Sequence, residues 1–287
     1  MRGIGPKFKR IEKNMPSPQR FPVMPELMLC KLYTKFVTHF FCMAFCVLLS
    51  ACNEDDSTRV ERIEKLRAIG VTSSPVVLAA PAPGSSGSVE LTAFAALPPG
   101  STVTATPFLD EASPYAPPVP IVMDSTTETI QHLGALELYS IKGTVTVGPL
   151  TPEQEAILAA PSGKLSLRYG IKLETGAESE IIVGNILVYP SGSEESAYQA
   201  VSVSVAKPVA HATIGSGPDQ VLAGTVTKAQ PENVKVSWFV SSGKVTNRRA
   251  KETKWEPQST GTQTVIMTAR GMKSGSFALQ AVDVTVE

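Results

Sequence analysis

Residues 164–174, KLSLRYGIKLE, alternate without a fault: Leu165, Leu167, Tyr169, Ile171 and Leu173 fall on one face, and Ser166, Arg168, Gly170 and Lys172 on the other. Successive strand side chains point to opposite faces, so this period of two specifies a half-buried strand of an antiparallel sheet and is incompatible with a helix. The same period returns in AVSVSVA through Val201, Val203 and Val205, and in AVDVTVE through Val282, Val284 and Val286. Further strands are read in LRAIGVT, SVELTAFAAL, LELYSIKGTVTVG, EIIVGNILVYP, VLAGTVTKA, VKVSWFVSS and QTVIMTAR, separated by the Gly, Pro, Ser and Asn clusters that turns require.

One helix is expected, near 151–159, where Thr151-Pro152-Glu153 opens TPEQEAILAA with a capping hydroxyl, a proline at the first helical position and early acidic residues. RVERIEKLR, residues 59–67, reads as a helical turn or a charged tether. With so few helices, an apolar sheet face must be buried against another sheet, and the expected class is all-β with two β-sandwich domains. Pro208 breaks pairing after the strand that ends at Ala206, which places the boundary at about 207: an N-terminal domain over 66–206 and a C-terminal one over 207–287. EASPYAPPVP, residues 111–120, reads as an extended surface loop inserted in the first domain.

The residues before 66 differ in kind. From Phe36 to Ala51 the chain carries no Lys, Arg, Asp or Glu. At about 16 residues this run falls short of the roughly 20 that a membrane-spanning helix needs. Lys31 and Lys35 before it, and small residues at its end, fit a cleaved secretory signal. Leu49-Ser50-Ala51-Cys52, followed by the polar tether NEDDSTRVER, resembles the lipobox of bacterial lipoproteins. The resemblance implies cleavage before Cys52, diacylation of its thiol, and a leader over 1–51 with a lipidated tether over 52–65. An ordinary secretory signal, or a short anchor helix ending in Cys, is the alternative. Asn53 in place of Asp after the cysteine implies, by the same resemblance, the outer membrane. Met1 to Pro25, with Pro6, Pro16, Pro18, Pro22 and Pro25, suits no regular element, and the start is open between Met1, Met24 and Met28.

Removal of the leader takes Cys30, Cys42 and Cys46 with it, leaving Cys52 alone, so neither an intramolecular disulfide nor a Cys-x-x-Cys metal site is expected. The whole chain is formally neutral, but residues 1–51 hold eight Lys and Arg against two Glu, which leaves 18 cations and 24 anions in the mature part. That acidity argues against a nucleic-acid partner.

The last 80 or so residues resemble the immunoglobulin-like and PKD-like modules of bacterial surface proteins. The points of resemblance are VLAGTVTKA, the tryptophan strand VKVSWFVSSG, TKWEPQSTGTQTVIMTARG and the closing GSFALQAVDVTVE. The resemblance implies that Trp238 is the core tryptophan of the third strand, with Val234, Val236 and Val240 on its face, and that Trp255-x-Pro257 leads into the penultimate strand. Paired cysteines and a corner tyrosine near Thr262 are lacking. Residues 66–206 resemble the same class less closely, through KLRAIGVTSSPVVLAAPAPGSSGSVELTAFAALPPG.

Catalytic signals are thin. His132 and His211 are the only histidines after the leader, and both read as solvent-facing. There is no Gly-x-Ser-x-Gly elbow, and Ser162-Gly163-Lys164 lacks the spacing of a phosphate loop. Asn53 to Asp56 reads as a solvated tether and Glu194-Glu195 as a polar hairpin tip, with calcium as a weaker alternative. Trp238 and Tyr169 read as core, while Tyr115 and Tyr198 lie in or near turns where a ligand could touch them. The expectation is therefore a non-enzymatic, lipid-anchored envelope protein without cofactor or metal. It either binds a protein or glycan partner or serves as a structural spacer in an envelope assembly.

Overall fold

The computed structural model describes residues 61–109, 121–176, 178–227 and 232–287. The leader, Cys52, the tether up to residue 60 and the loop at 111–120 lie outside them. The strands of the first half are β1 (Arg67–Ser74), β2 (Leu78–Ala79), β3 (Gly87–Leu97), β4 (Thr104–Leu109), β5 (Ile121–His132), β6 (Glu137–Val147), β7 (Leu165–Thr175) and β8 (Glu178–Tyr189). Those of the second half are β9 (Ser202–Lys207), β10 (Thr213–Ile214), β11 (Gln220–Thr227), β12 (Val234–Val240), β13 (Lys244–Val245), β14 (Glu252–Glu256), β15 (Gly261–Gly271) and β16 (Phe277–Val286). The expected helix, α1, spans Pro152–Ala159, and Thr151 caps it reciprocally with Gln154.

Each half builds two four-stranded sheets, in the orders β1-β3-β6-β5 and β2-β8-β7-β4, then β9-β11-β14-β13 and β10-β16-β15-β12. The second pair repeats the first strand for strand. This is the immunoglobulin arrangement, in which the first strand pairs on one sheet and a short continuation crosses to run parallel to the last strand of the other. The crossover carries a cis peptide in both halves, before Pro75 and before Pro208.

A second device recurs where the first strand lies beside the last. Leu66 N and Ala68 N donate to the carboxylates of Glu178 (2.8 Å) and Glu180 (2.5 Å) on β8. In the second half, Val201 N donates to Ser276 Oγ (3.3 Å) and Val205 N to Gln280 Oε1 (2.6 Å) of β16. Side-chain acceptors thus satisfy backbone donors that no ladder reaches.

The strand orders correct three expectations. β9 hydrogen-bonds to β11, from Ser202–Thr227 to Lys207–Ala223, so the ladder groups it with the C-terminal sheets and the division between sheet pairs falls ahead of Ser202 rather than at 207. Backbone pairing, not the proline, decides where that strand belongs. The segment from 61 to 66 is neither helical nor a free tether: Arg62 bridges Val240 at the edge of β12, and Ile63 and Leu66 are buried. Glu194 and Glu195 sit at a 3-10 turn in the connection between β8 and β9 rather than at a hairpin tip.

Alternation explains the packing. On β3, Ala93, Ala95 and Leu97 face the first core, while Phe94 and Ala96 turn outward. On β12 and β15, Trp238, Val240, Val265 and Met267 face the second core, while Phe239 and Ile266 turn outward. These outward residues meet one another. With Ile63, Ile69, Leu136, Leu138 and Phe277 they form a third apolar cluster that joins the two sandwiches face to face. The rings of Phe94 and Phe277 lie 5.9 Å apart. A Cβ at Gly70 would collide with the Phe277 ring, and one at Gly134 with Thr262, so both glycines permit the close approach. Gly134 N donates to Asp283 Oδ2 (3.0 Å), and Ile63 N to Val240 O (2.9 Å), across the same junction.

Candidate functional site

A cleft of about 340 Å³ opens beside this junction, lined by Asn185 and Leu187 of β8, Lys235 of β12, Arg270 and Gly271 of β15, and the turn from Met272 to Gly275. Period two puts Asn185 on the outward face of β8, in line with Ile181 and Val183, which are 57% and 42% exposed. Lys235 and Arg270 are direct cross-strand partners, and Lys273 follows on the turn. Among the described residues none of the three is in an ion pair with a carboxylate. Like charges placed directly opposite one another repel, and with the buried Glu232 carboxylate as the anion beneath them the three cations leave this corner net positive.

The turn that completes the cleft is fixed from beneath. Glu232, 6% exposed, accepts from Lys273 N (3.0 Å), Ser274 N (3.1 Å) and Ser274 Oγ (2.8 Å). Gly271 N donates to Ser276 O (2.8 Å), and Met272 N to Asn233 O (2.9 Å). Gly275 adopts a φ of 73°, and a Cβ at Gly271 would collide with the Glu232 carboxylate. The backbone under Lys273 is therefore set before any ligand arrives.

The residues singled out in the sequence do not converge here. Cys52, Asn53 to Asp56 and Tyr115 lie outside the described residues. His132 has a side-chain exposure of 79% and stands 3.6 Å from Glu137 in the first domain. His211 is exposed in a turn of the second, where its backbone N–H donates to Asp283 O (2.6 Å), and no hydrogen bond between the two histidines is found among the described residues. Ser162 and Gly163 form the turn after α1, where a Cβ at Gly163 would collide with the Ile157 carbonyl. Tyr198 packs against Val76, Val77, Leu187 and Tyr189. Tyr169 is core, and burial pushes its hydroxyl well above the ordinary tyrosine range. Trp238 and Trp255 are fully buried in opposite sheets, with their indole N–H groups donating to Ala250 O (2.8 Å) and Ser242 O (2.9 Å). Val236 and Val240 share the Trp238 core as expected, whereas Val234 is half-buried. Among the described residues no group of three or more His, Cys, Asp or Glu could hold a metal, and no helix is long and apolar enough to cross a membrane.

The cleft was missed because Lys235, Arg270 and Lys273 are scattered in the chain and only strand pairing brings them together. Charge by half would have been a signal. Residues 61–201 carry seven Lys and Arg against fifteen Asp and Glu, and residues 202–287 carry ten against six.

No protein-family model and no curated protein matches the chain. Among solved structures it is similar to the fibronectin(III)-like modules of Clostridium thermocellum CbhA, at 14% identity and a TM-score of 0.29, over 76% of this chain and 94% of that one. It is similar also to the N-terminal Ig1-2 module of the Drosophila receptor protein tyrosine phosphatase DLAR, at 9% identity and a TM-score of 0.26, over 78% of this chain and 100% of that one. The strand orders and registers define this chain as an all-β protein of two immunoglobulin-type sandwiches.

Proposed function

We propose that this chain is a bacterial envelope lipoprotein, anchored at the outer membrane through Cys52, whose paired immunoglobulin-type domains form a non-catalytic binding module for a protein or glycan partner. The observation that carries the binding role is the preformed cationic cleft beside the domain junction, continuous with the exposed Ile181 and Val183 of β8. Support for the anchor comes from the basic flank, apolar run and Leu49-Ser50-Ala51-Cys52. One acyl chain holds a protein only marginally, so two or three chains on Cys52 are needed for permanent attachment.

Intact mass of the membrane-extracted protein, wild type beside Cys52→Ala, tests the anchor. The expected result is a chain starting at Cys52 with added acyl mass, and loss of that mass in the variant. A chain cut elsewhere, or one that keeps residues 28–51, overturns it.

A spacer role is the second reading, favoured by the apolar junction around Phe239, Ile266 and Phe277, which opposes bending between the domains. The two readings separate on the cleft: removing its charges abolishes partner retention if the protein is a binder and changes nothing if it is a spacer.

A further inference from the structure

We propose that the cleft takes an acidic saccharide, a sugar unit carrying a carboxylate or phosphate, with Lys235, Arg270 and Lys273 receiving the charge and Asn185 the neighbouring hydroxyls. The inference rests on the binding role above and names its ligand.

Three observations converge on it. The first is charge: three cations meet around one opening with no described carboxylate paired to them, in a half of the chain that is itself basic. Two of them, Lys235 and Arg270, are held opposite each other by the β12–β15 ladder, so their repulsion is built in and an anion relieves it. Arg270 supplies a planar fork suited to a carboxylate or phosphate, and the lysines supply point charges beside it.

The second is shape. A volume of about 340 Å³ lies at the low end of small-molecule sites, and the opening lies between two domains, where a flat bilayer surface does not enter. The third is the mixed lining. Asn185 is exposed and offers both a donor and acceptors, as sugar hydroxyls require, while Met272, 52% exposed, offers apolar surface to the C–H face of a ring. Among the described residues no aromatic side chain lines the cleft to give the stacking platform that a single-stranded nucleic acid uses.

The fixed turn gives this arrangement its selectivity. Glu232 occupies the N–H groups of Lys273 and Ser274, so the anion is met by side chains and not by a backbone nest.

The test is calorimetric titration of the full chain in detergent with three probes: trigalacturonate, its methyl ester and glucose 6-phosphate. The expected result is salt-sensitive binding of one or both acidic probes, with the neutral ester at least tenfold weaker. Combined Lys235→Gln and Lys273→Gln, both exposed positions, weakens the acidic probe at least tenfold, and Asn185→Ala weakens it several-fold. Arg249→Gln with Lys251→Gln, exposed cations outside the cleft, leaves it unchanged. Binding of the ester as tightly as the acid overturns the charge requirement while leaving a glycan-binding role standing. Binding of none of the probes, or equal loss in both paired variants, overturns the site itself. The mass test on Cys52 is unaffected by any of these outcomes.

Discussion

Tyr139 places its hydroxyl within hydrogen-bonding reach of the Glu137 carboxylate and 2.8 Å from Ser101 O. That contact above all, with Gly100 N–H and His132 adding to it against the opposing effect of burial, holds Glu137 below the usual carboxylate range. A carboxyl with a depressed folded pKa contributes stability above its unfolded pKa, about 4.3, and loses it as pH falls through the folded value. Tyr139→Phe is expected to raise the Glu137 pKa, read by NMR titration, and to lower stability by about 1–2 kcal/mol at pH 7. The gap in Tm between variant and wild type should narrow below about pH 4. An unchanged Glu137 titration would show that the hydroxyl spends its proton on Ser101 instead. At this scale the sequence was informative about bulk: Trp238 and Tyr169 are core because large apolar groups on the buried phase of an alternating strand have nowhere else to go. It was silent on Glu232, a buried carboxylate whose partners lie 41 and 42 positions away.

Between elements, the seam of first and last strand rests on side chains, because no ladder joins β1 to β8 and Glu178 and Glu180 take the backbone donors of Leu66 and Ala68. Glu180 also meets Arg67 at 2.9 Å. Glu180→Ala leaves Ala68 N without its acceptor and Arg67 without its carboxylate, with an expected loss of about 1.5–3 kcal/mol in urea unfolding. Glu180→Gln keeps an acceptor and should lose less. Equal losses would show that the seam depends on packing alone. Regular strands and α1 were legible because their signals are local: period two, and a capping hydroxyl with proline at the first turn. The short β2, β10 and β13, and the five-residue β14 around Trp255, were not, since too few residues carry the pattern, and neither were β4 and the twelve-residue β5, whose sequences TATPFL and IVMDSTTETIQH lack a sustained apolar-polar alternation. The 202–207 strand was read in place but assigned to the wrong neighbours, because pairing partners are chosen in space.

As a whole molecule, the described residues from 61 to 287 form a single compact unit, and the reason is the third apolar cluster. Ile266 lies between Val265 and Met267 on β15, and all three are fully buried, because one face packs on the second core and the other on the first domain. Phe277→Ala removes the ring that fits over Gly70 and should cost about 3–5 kcal/mol. The single thermal transition expected of the wild type should separate into two by calorimetry. Retention of one transition at reduced Tm would mean that the domains are coupled by the 61–66 segment and the hydrogen bonds alone.

The amino-acid sequence by itself determined that this is a β protein of two sandwiches with one short helix, because side-chain alternation and helix capping are read within a few residues. It also held the lipobox-like run on which the proposed anchor rests. Only the tertiary structure decided that the two halves share one strand order, that outward apolar residues of each cover the other, and that three scattered cations surround one cleft. Those outcomes depend on which strand edges and faces meet, and hydrophobic burial rewards any sufficiently complementary pair of faces whatever its distance along the chain.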